Sequence, residues 1–128
     1  MIDPELRHEI KGLDELFKYI PEDYSFHDSE LESVNWDMMK NKLTVVYSCH
    51  QWLDGHVYYV TFHIIPEMND FAVYISPHIS YTFGINITRS SSSISKYLFE
   101  ADSAGPIVNC EDLWVEIEET DPEKIFED

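Results

Sequence analysis

The feature that most constrains this chain is a change of hydrophobic period at Tyr24-Ser25-Phe26-His27-Asp28-Ser29-Glu30-Leu31. Upstream, Leu6, Ile10, Leu13, Phe17 and Ile20 recur at spacings of three and four, with Glu5, Glu9, Asp14 and Glu15 between them. Such spacing gives a helix one apolar stripe and one acidic face. Asp3 before Pro4 supplies a capping carboxylate and a residue whose fixed φ suits a first turn. Gly12 weakens the middle by about 1 kcal/mol relative to alanine, and Pro21 ends the run. The expectation is an amphipathic helix over residues 1–20, its stripe laid on one end of a sheet.

Downstream the period falls to two. Val34 and Trp36 alternate with Asn35 and Asp37, and Lys40-Asn41-Lys42 turns the chain into Leu43, Val45, Tyr47 and Cys49, which reads as a hairpin. The run Val57 to Ile65 is rich in β-branched and aromatic residues and suits a central strand. Phe71, Val73 and Ile75 continue the alternation, as do Tyr81, Phe83, Ile85 and Ile87, with Pro77-His78 between them. Ser90 to Ser93 makes a turn, Tyr97 to Ala101 a strand, and Ala104-Gly105-Pro106 a loop. Asp112 to Glu118 is a last strand that puts Leu113, Val115 and Ile117 on one face and Trp114, Glu116 and Glu118 on the other. The fold class is α+β: one domain over 1–128, with a helix over 1–20 packed on a curved, mostly antiparallel sheet of about seven strands over 31–119, and an acidic tail over 120–128.

Composition narrows the partners. Twenty-five acidic side chains face eight basic ones, a formal charge of -17, while 44% hydrophobic and 14% aromatic residues supply material for a core. A surface of that sign repels phosphates and anionic lipid, which argues against nucleic acid and membrane and in favour of basic proteins. The excess is steepest from Glu100 to Asp128, where eleven carboxylates accompany one lysine, Lys124. There is no apolar run suited to a signal peptide or a membrane span, so a cytoplasmic protein is expected. Cys49 and Cys110 form no Cys-x-x-Cys motif and read as buried free thiols.

No arrangement of residues completes a catalytic signature. His27-Asp28 invites comparison with the His-Asp doublet of metal-dependent phosphohydrolases, but here it precedes a strand rather than lying on a helix with further histidines. A turn in which Asp28 or Ser29 caps the backbone and His27 packs beside Phe26 accounts for it locally. His50, His56, His63 and His78 lie on successive strands and turns, and no spacing among them fixes a metal geometry. Cys49 and His50 point to opposite faces of one strand, the wrong placement for a nucleophile and its base. Four glycines in the whole chain leave no phosphate-cradling loop. No catalytic residue, metal or cofactor is assigned, and the chain is read as a non-enzymatic binding protein. Glu111, Asp112, Trp114, Glu116 and Glu118 are the expected contact face, an aromatic anchor ringed by charge.

Phe26-His27-Asp28-Ser29-Glu30-Leu31, the strand pair up to Val46 and the downstream run Cys110 to Ile117 together resemble small bacterial proteins whose first strand begins with Phe-His-Asp-Ser or Phe-His-Asp-Ala. Among these is the immunity protein 50 family of polymorphic toxin systems. The resemblance implies a cytosolic immunity protein that binds a cognate, basic toxin domain; it carries over no catalytic residues. Two other readings stay open. One is a small-ligand- or metal-binding, or enzymatic, β domain with His27, His50, His56 or His63 at the rim of a pocket. The other is a structural subunit that assembles through an exposed sheet edge. Neither the toxin nor the oligomeric state follows from the residues.

Overall fold

The structure, a computed structural model, describes residues 1–21, 26–50, 57–69, 71–75, 81–82 and 84–120. Of the expectations above, Tyr24, Ser25, His56, Pro77-His78, Phe83 and the tail beyond Thr120 lie outside the described residues. Among the described residues there are seven strands: β1 (Glu30–Asp37), β2 (Lys42–His50), β3 (Val57–Pro66), β4 (Ala72–Tyr74), β5 (Gly84–Arg89), β6 (Tyr97–Asp102) and β7 (Gly105–Thr120). They form one open sheet in the order β1-β2-β3-β7-β6-β5, with β4 also paired to β7, and every pairing between these strands is antiparallel.

The alternation in the sequence becomes two faces. Across the ladders, Leu43 faces Ile64 and Ile64 faces Leu113; Val45, Phe62 and Val115 make the next row, and Tyr47, Val60 and Ile117 the one after. All but the partly buried Ile117 are fully inside. Phe62 is the hub: its ring meets Phe26 at 5.5 Å and Phe99 at 5.0 Å, both edge-on, the geometry that aromatic quadrupoles favour. The hydroxyl of Tyr47 reaches through this core to donate to the Ala104 carbonyl at 2.8 Å.

Two features differ from the sequence expectation. Ala104-Gly105-Pro106 is not a loop throughout: the reversal is completed at Ser103, with φ 69, and Gly105 already opens β7, a strand of sixteen residues. Nor do residues 1–20 form one helix. Asp3 does cap a turn, its carboxylate accepting from the Glu5 amide at 3.0 Å, but that turn is a short 3-10 segment, Pro4–Leu6. The only α-helix among the described residues, α1 (Leu13–Tyr19), starts afresh after Gly12.

The break has a physical reason. The Val115 amide of β7 donates to the Lys11 carbonyl at 2.9 Å, a carbonyl that a continuous helix would use internally. Gly12 then turns with φ 89, and a Cβ built on it would lie 1.8 Å from the Val115 oxygen. Helical periodicity survives the break in one respect: Leu6, Ile10, Leu13, Leu16 and Ile20 all belong to the buried cluster that contains Phe62 and Val115.

Two further contacts finish the sheet's margins. Ile2 makes a parallel bridge to Ile87 of β5. At the opposite margin Asp28 donates to the Thr82 carbonyl at 3.0 Å and Thr82 donates to the Ser29 carbonyl at 2.9 Å, beside a bridge between Glu30 and Tyr81. Residues 28–30 lead into β1 and residues 81–82 precede β5, so the two outermost strands of the sheet are tied at one end.

Gly12→Ala tests this account of the break. A left-handed φ combined with a collision against backbone predicts a loss of about 2 kcal/mol or more. The change is read from the urea midpoint; a loss no larger than the cost of an ordinary surface substitution would contradict it.

Candidate functional site

The hinge motif divides cleanly between inside and outside. Phe26 is buried, its backbone left-handed at φ 59, an unusual conformation for a bulky residue. Ser29 is also buried, its hydroxyl 3.3 Å from the Cys49 sulfur, and its amide donates to the Phe26 carbonyl at 3.1 Å. Between them His27 and Asp28 project outward, each side chain 62% exposed, with Nδ1 3.0 Å from Oδ2. His27 therefore does not pack beside Phe26 as expected, because the left-handed residue on either side, Phe26 and then Asp28 at φ 64, turns it away from the core. The motif is a tight turn whose buried members fasten the entry to β1.

Both thiols are inside the protein. Burial pushes the Cys49 thiol up to about 12, with Ser29 opposing weakly, and burial likewise pushes Cys110 up to about 12. Protonated and enclosed, neither is poised as a nucleophile. Among the described residues, His50 and His63 lie on different strands, and the side chain of His8 is exposed near Asp14. Among the described residues no group of three histidine, cysteine or carboxylate side chains has the placement to hold a metal.

The outward face of β1, β2, β3 and β7 is where chemistry gathers. Its rows can be read across the sheet: Asn35, Thr44, His63 and Trp114; then Ser33, Val46, Thr61 and Glu116; then Glu30, Ser48, Tyr59 and Glu118. Asp112, Glu116 and Glu118 are exposed and Trp114 is half-buried, all on one side of β7. Glu111 falls outside this row. The pairing steps from Ile65 opposite Asp112 to Pro66 opposite Cys110, so Glu111 is the extra residue of a bulge. A second bulge, between Leu31 and Ser33, frees Glu32 to accept from the Ser48 hydroxyl at 2.6 Å.

His63 is the member of this face that sequence reasoning placed only at the rim of an imagined pocket. Its ring stacks on Trp114, centroids 5.1 Å apart and planes 5° from parallel, and only 13% of the side chain is exposed. Glu116 Oε1 lies 3.5 Å from Nε2, near enough to attract a charge but not aligned as a hydrogen bond, and both ring nitrogens are enclosed without a hydrogen-bond partner. Burial lowers the proton affinity of the ring, and the nearby Lys42 lowers it further against a weaker pull from Glu116. Lys42 reaches from β2 across β3 to place its ammonium 5.3 Å from the centre of the Trp114 ring. Cross-strand alternation in the sequence was enough to put Trp114 beside the carboxylates, but it held no sign that His63 and Lys42 would enclose the indole.

A depression of about 290 Å³ adjoins the same indole, lined by Glu9, Lys11, Asp112, Leu113 and Trp114. No helix of the described residues is long and apolar enough to cross a membrane. Taken together, fold and site define an acidic, aromatic face on a single antiparallel sheet. No family model, no curated protein and no solved structure matches the chain.

The buried neutral His63 carries a pH signature. Its proton affinity is lower folded than unfolded, so the unfolded chain binds more protons in this range. The stability that follows is complete above the unfolded value of 6.5 and is lost as the pH falls from there towards the lower folded value. His63→Gln should therefore flatten the change in urea midpoint between about pH 7.5 and about pH 5.5. An unaltered pH profile in the variant would place the titration elsewhere.

Proposed function

We propose that this is a non-enzymatic binding protein of the immunity class, which neutralises a basic toxin domain by covering it with the outward face of β7 and its neighbours. The observation that carries the reading is the row Asp112, Trp114, Glu116 and Glu118, a half-buried aromatic side chain with exposed carboxylates on both sides along one strand. An interface of this make-up suits a cationic cleft: the carboxylates steer the encounter, and the indole gives apolar contact that survives salt. The net charge of -17 works in the same direction at longer range. On this reading the N-terminal segment and α1 cover the inner face of the sheet, which leaves the outer one for the partner, and the protein acts in the cytoplasm. The turn made by Phe26, His27, Asp28 and Ser29 serves to hold β1 in register rather than to touch the toxin.

The test is capture from lysate of the source cells with the full chain as bait, at low and high salt. A basic protein should be retained at low salt, released at high salt, and lost from a Glu116→Gln/Glu118→Gln double variant. Retention that ignores both salt and the double variant would assign binding to another surface. Trp114→Ala separates anchor from core. Affinity should fall by about tenfold or more, whereas loss of one stacked pair lowers stability by about 1 kcal/mol. A far larger stability loss would make the indole a structural residue and remove it from the interface.

A further inference from the structure

The indole of Trp114 already has a cation on it, and the cation belongs to the protein itself. Lys42 makes no ion pair among the described residues of a chain with 25 carboxylates, and its ammonium rests instead 5.3 Å from the ring centre. To arrive there it crosses from β2 over β3, a span of roughly 9 to 10 Å between strand axes. On the near side the neutral His63 is stacked flat against the same ring. Neither neighbour engages the carboxylates firmly: Glu116 is 69% exposed and off line from His63, and Glu118 has no ion-pair partner among the described residues.

From this arrangement we propose that Trp114 is the seat for an arginine guanidinium of the partner, and that Lys42 is an internal competitor holding that seat until the partner displaces it. The inference rests on the acidic-face reading given above and names the chemistry that the face selects. A flat guanidinium stacks on an indole and still directs N–H donors sideways in a fixed fork. Glu116 follows Trp114 by two residues and Glu118 by four, so roughly 7 Å and 14 Å of strand separate the carboxylates from the indole on the same side. A guanidinium on the ring therefore has Glu116 at its edge, where a charge-assisted, two-point contact forms. An ammonium is a point charge and cannot stack and pair in this way together, which is why Lys42 occupies the ring alone. The depression of about 290 Å³ beside Trp114 gives the arginine's aliphatic stem a place to lie, between the indole and the Glu9 and Lys11 segment.

The competitor makes the proposal distinguishable from simple charge attraction. Hexa-arginine and hexa-lysine peptides are titrated at low salt into the full chain, wild type, Lys42→Gln and Lys40→Gln, following the indole N–H resonances and the dissociation constants. The Trp114 signal is assigned with Trp114→Phe. Hexa-arginine is expected to move the Trp114 resonance and to bind more tightly than hexa-lysine. Lys42→Gln is expected to tighten hexa-arginine by about two- to fivefold, the weight of one exposed cation on an aromatic ring. Lys40→Gln removes the same charge from the neighbouring turn without freeing the ring, and is expected to change little. Equal gains from the two lysine variants, or equal binding of the two peptides with no movement of the indole, would overturn the arginine seat. If in that case Glu116→Gln/Glu118→Gln still abolishes capture of the basic protein, the acidic face survives and only the seat is lost; if capture is untouched, the face itself is wrong.

Discussion

The backbone of β7 is the constraint on which the rest of the structure depends. Along its sixteen residues it must find partners for its amides and carbonyls, since an unmet buried backbone group costs about as much as a lost hydrogen bond. β3 satisfies one margin from Cys110 to Thr120, β4 takes Gly105 to Ile107, and β6 the margin facing Ile107 to Cys110. Beyond the end of β6, the Val115 amide is met by the Lys11 carbonyl. The N-terminal segment is thus shaped by what a strand nearly a hundred residues later lacks, and its helix is divided at Gly12 to supply it.

The same strand links core and face. Leu113 and Val115 are packed against Ile64 and Phe62, which fixes the outward direction of Trp114 and Glu116 to within the freedom of their own side chains. Side chains set on a strand that β3 holds along one margin and that the Lys11 carbonyl meets at Val115 on the other are positioned more firmly than groups on a loop. The bulge at Glu111 marks where this regular row begins. The arrangement also explains a histidine that looks badly placed. His63 lies directly opposite Trp114 in the ladder, and the stacked indole and the charge of nearby Lys42 both favour its neutral form.

Much of this was legible in the residues, and where it was not, the reasons are physical. The β-branched and aromatic run from Val57 to Ile65 marked one strand by composition, and alternation in Asp112 to Glu118 marked another with its two faces, because a half-buried strand enforces a period of two. The helical stripe from Leu6 to Ile20 was visible for the same kind of reason, and four of its five markers are buried, the fifth, Phe17, being packed against the cluster. The break at Gly12 was not, since it answers to a hydrogen bond with Val115 that no local pattern encodes. Gly105-Pro106 resembled a loop because both residues disfavour strands by propensity. Gly105 is there because the Tyr47 hydroxyl leaves no room for a side chain, a Cβ falling 1.9 Å from it. Of the site, Trp114 and its carboxylates followed from spacing alone, whereas the Lys42 and His63 contacts depend on registers across three strands.

The order in which the strands pair has a consequence for how the protein is made. β3 is complete by residue 66, yet its partner on one side does not begin until residue 105 and ends at residue 120. As the chain leaves the ribosome, β1, β2 and β3 can assemble as a meander, but one margin of β3 stays open, and Phe62 and Ile64 lack their partners Val115 and Leu113, until β7 emerges. Closure of the core therefore waits for β7. Glu116 and Glu118 arrive on the strand that performs it, so the outward acidic row and the folded core come into being together.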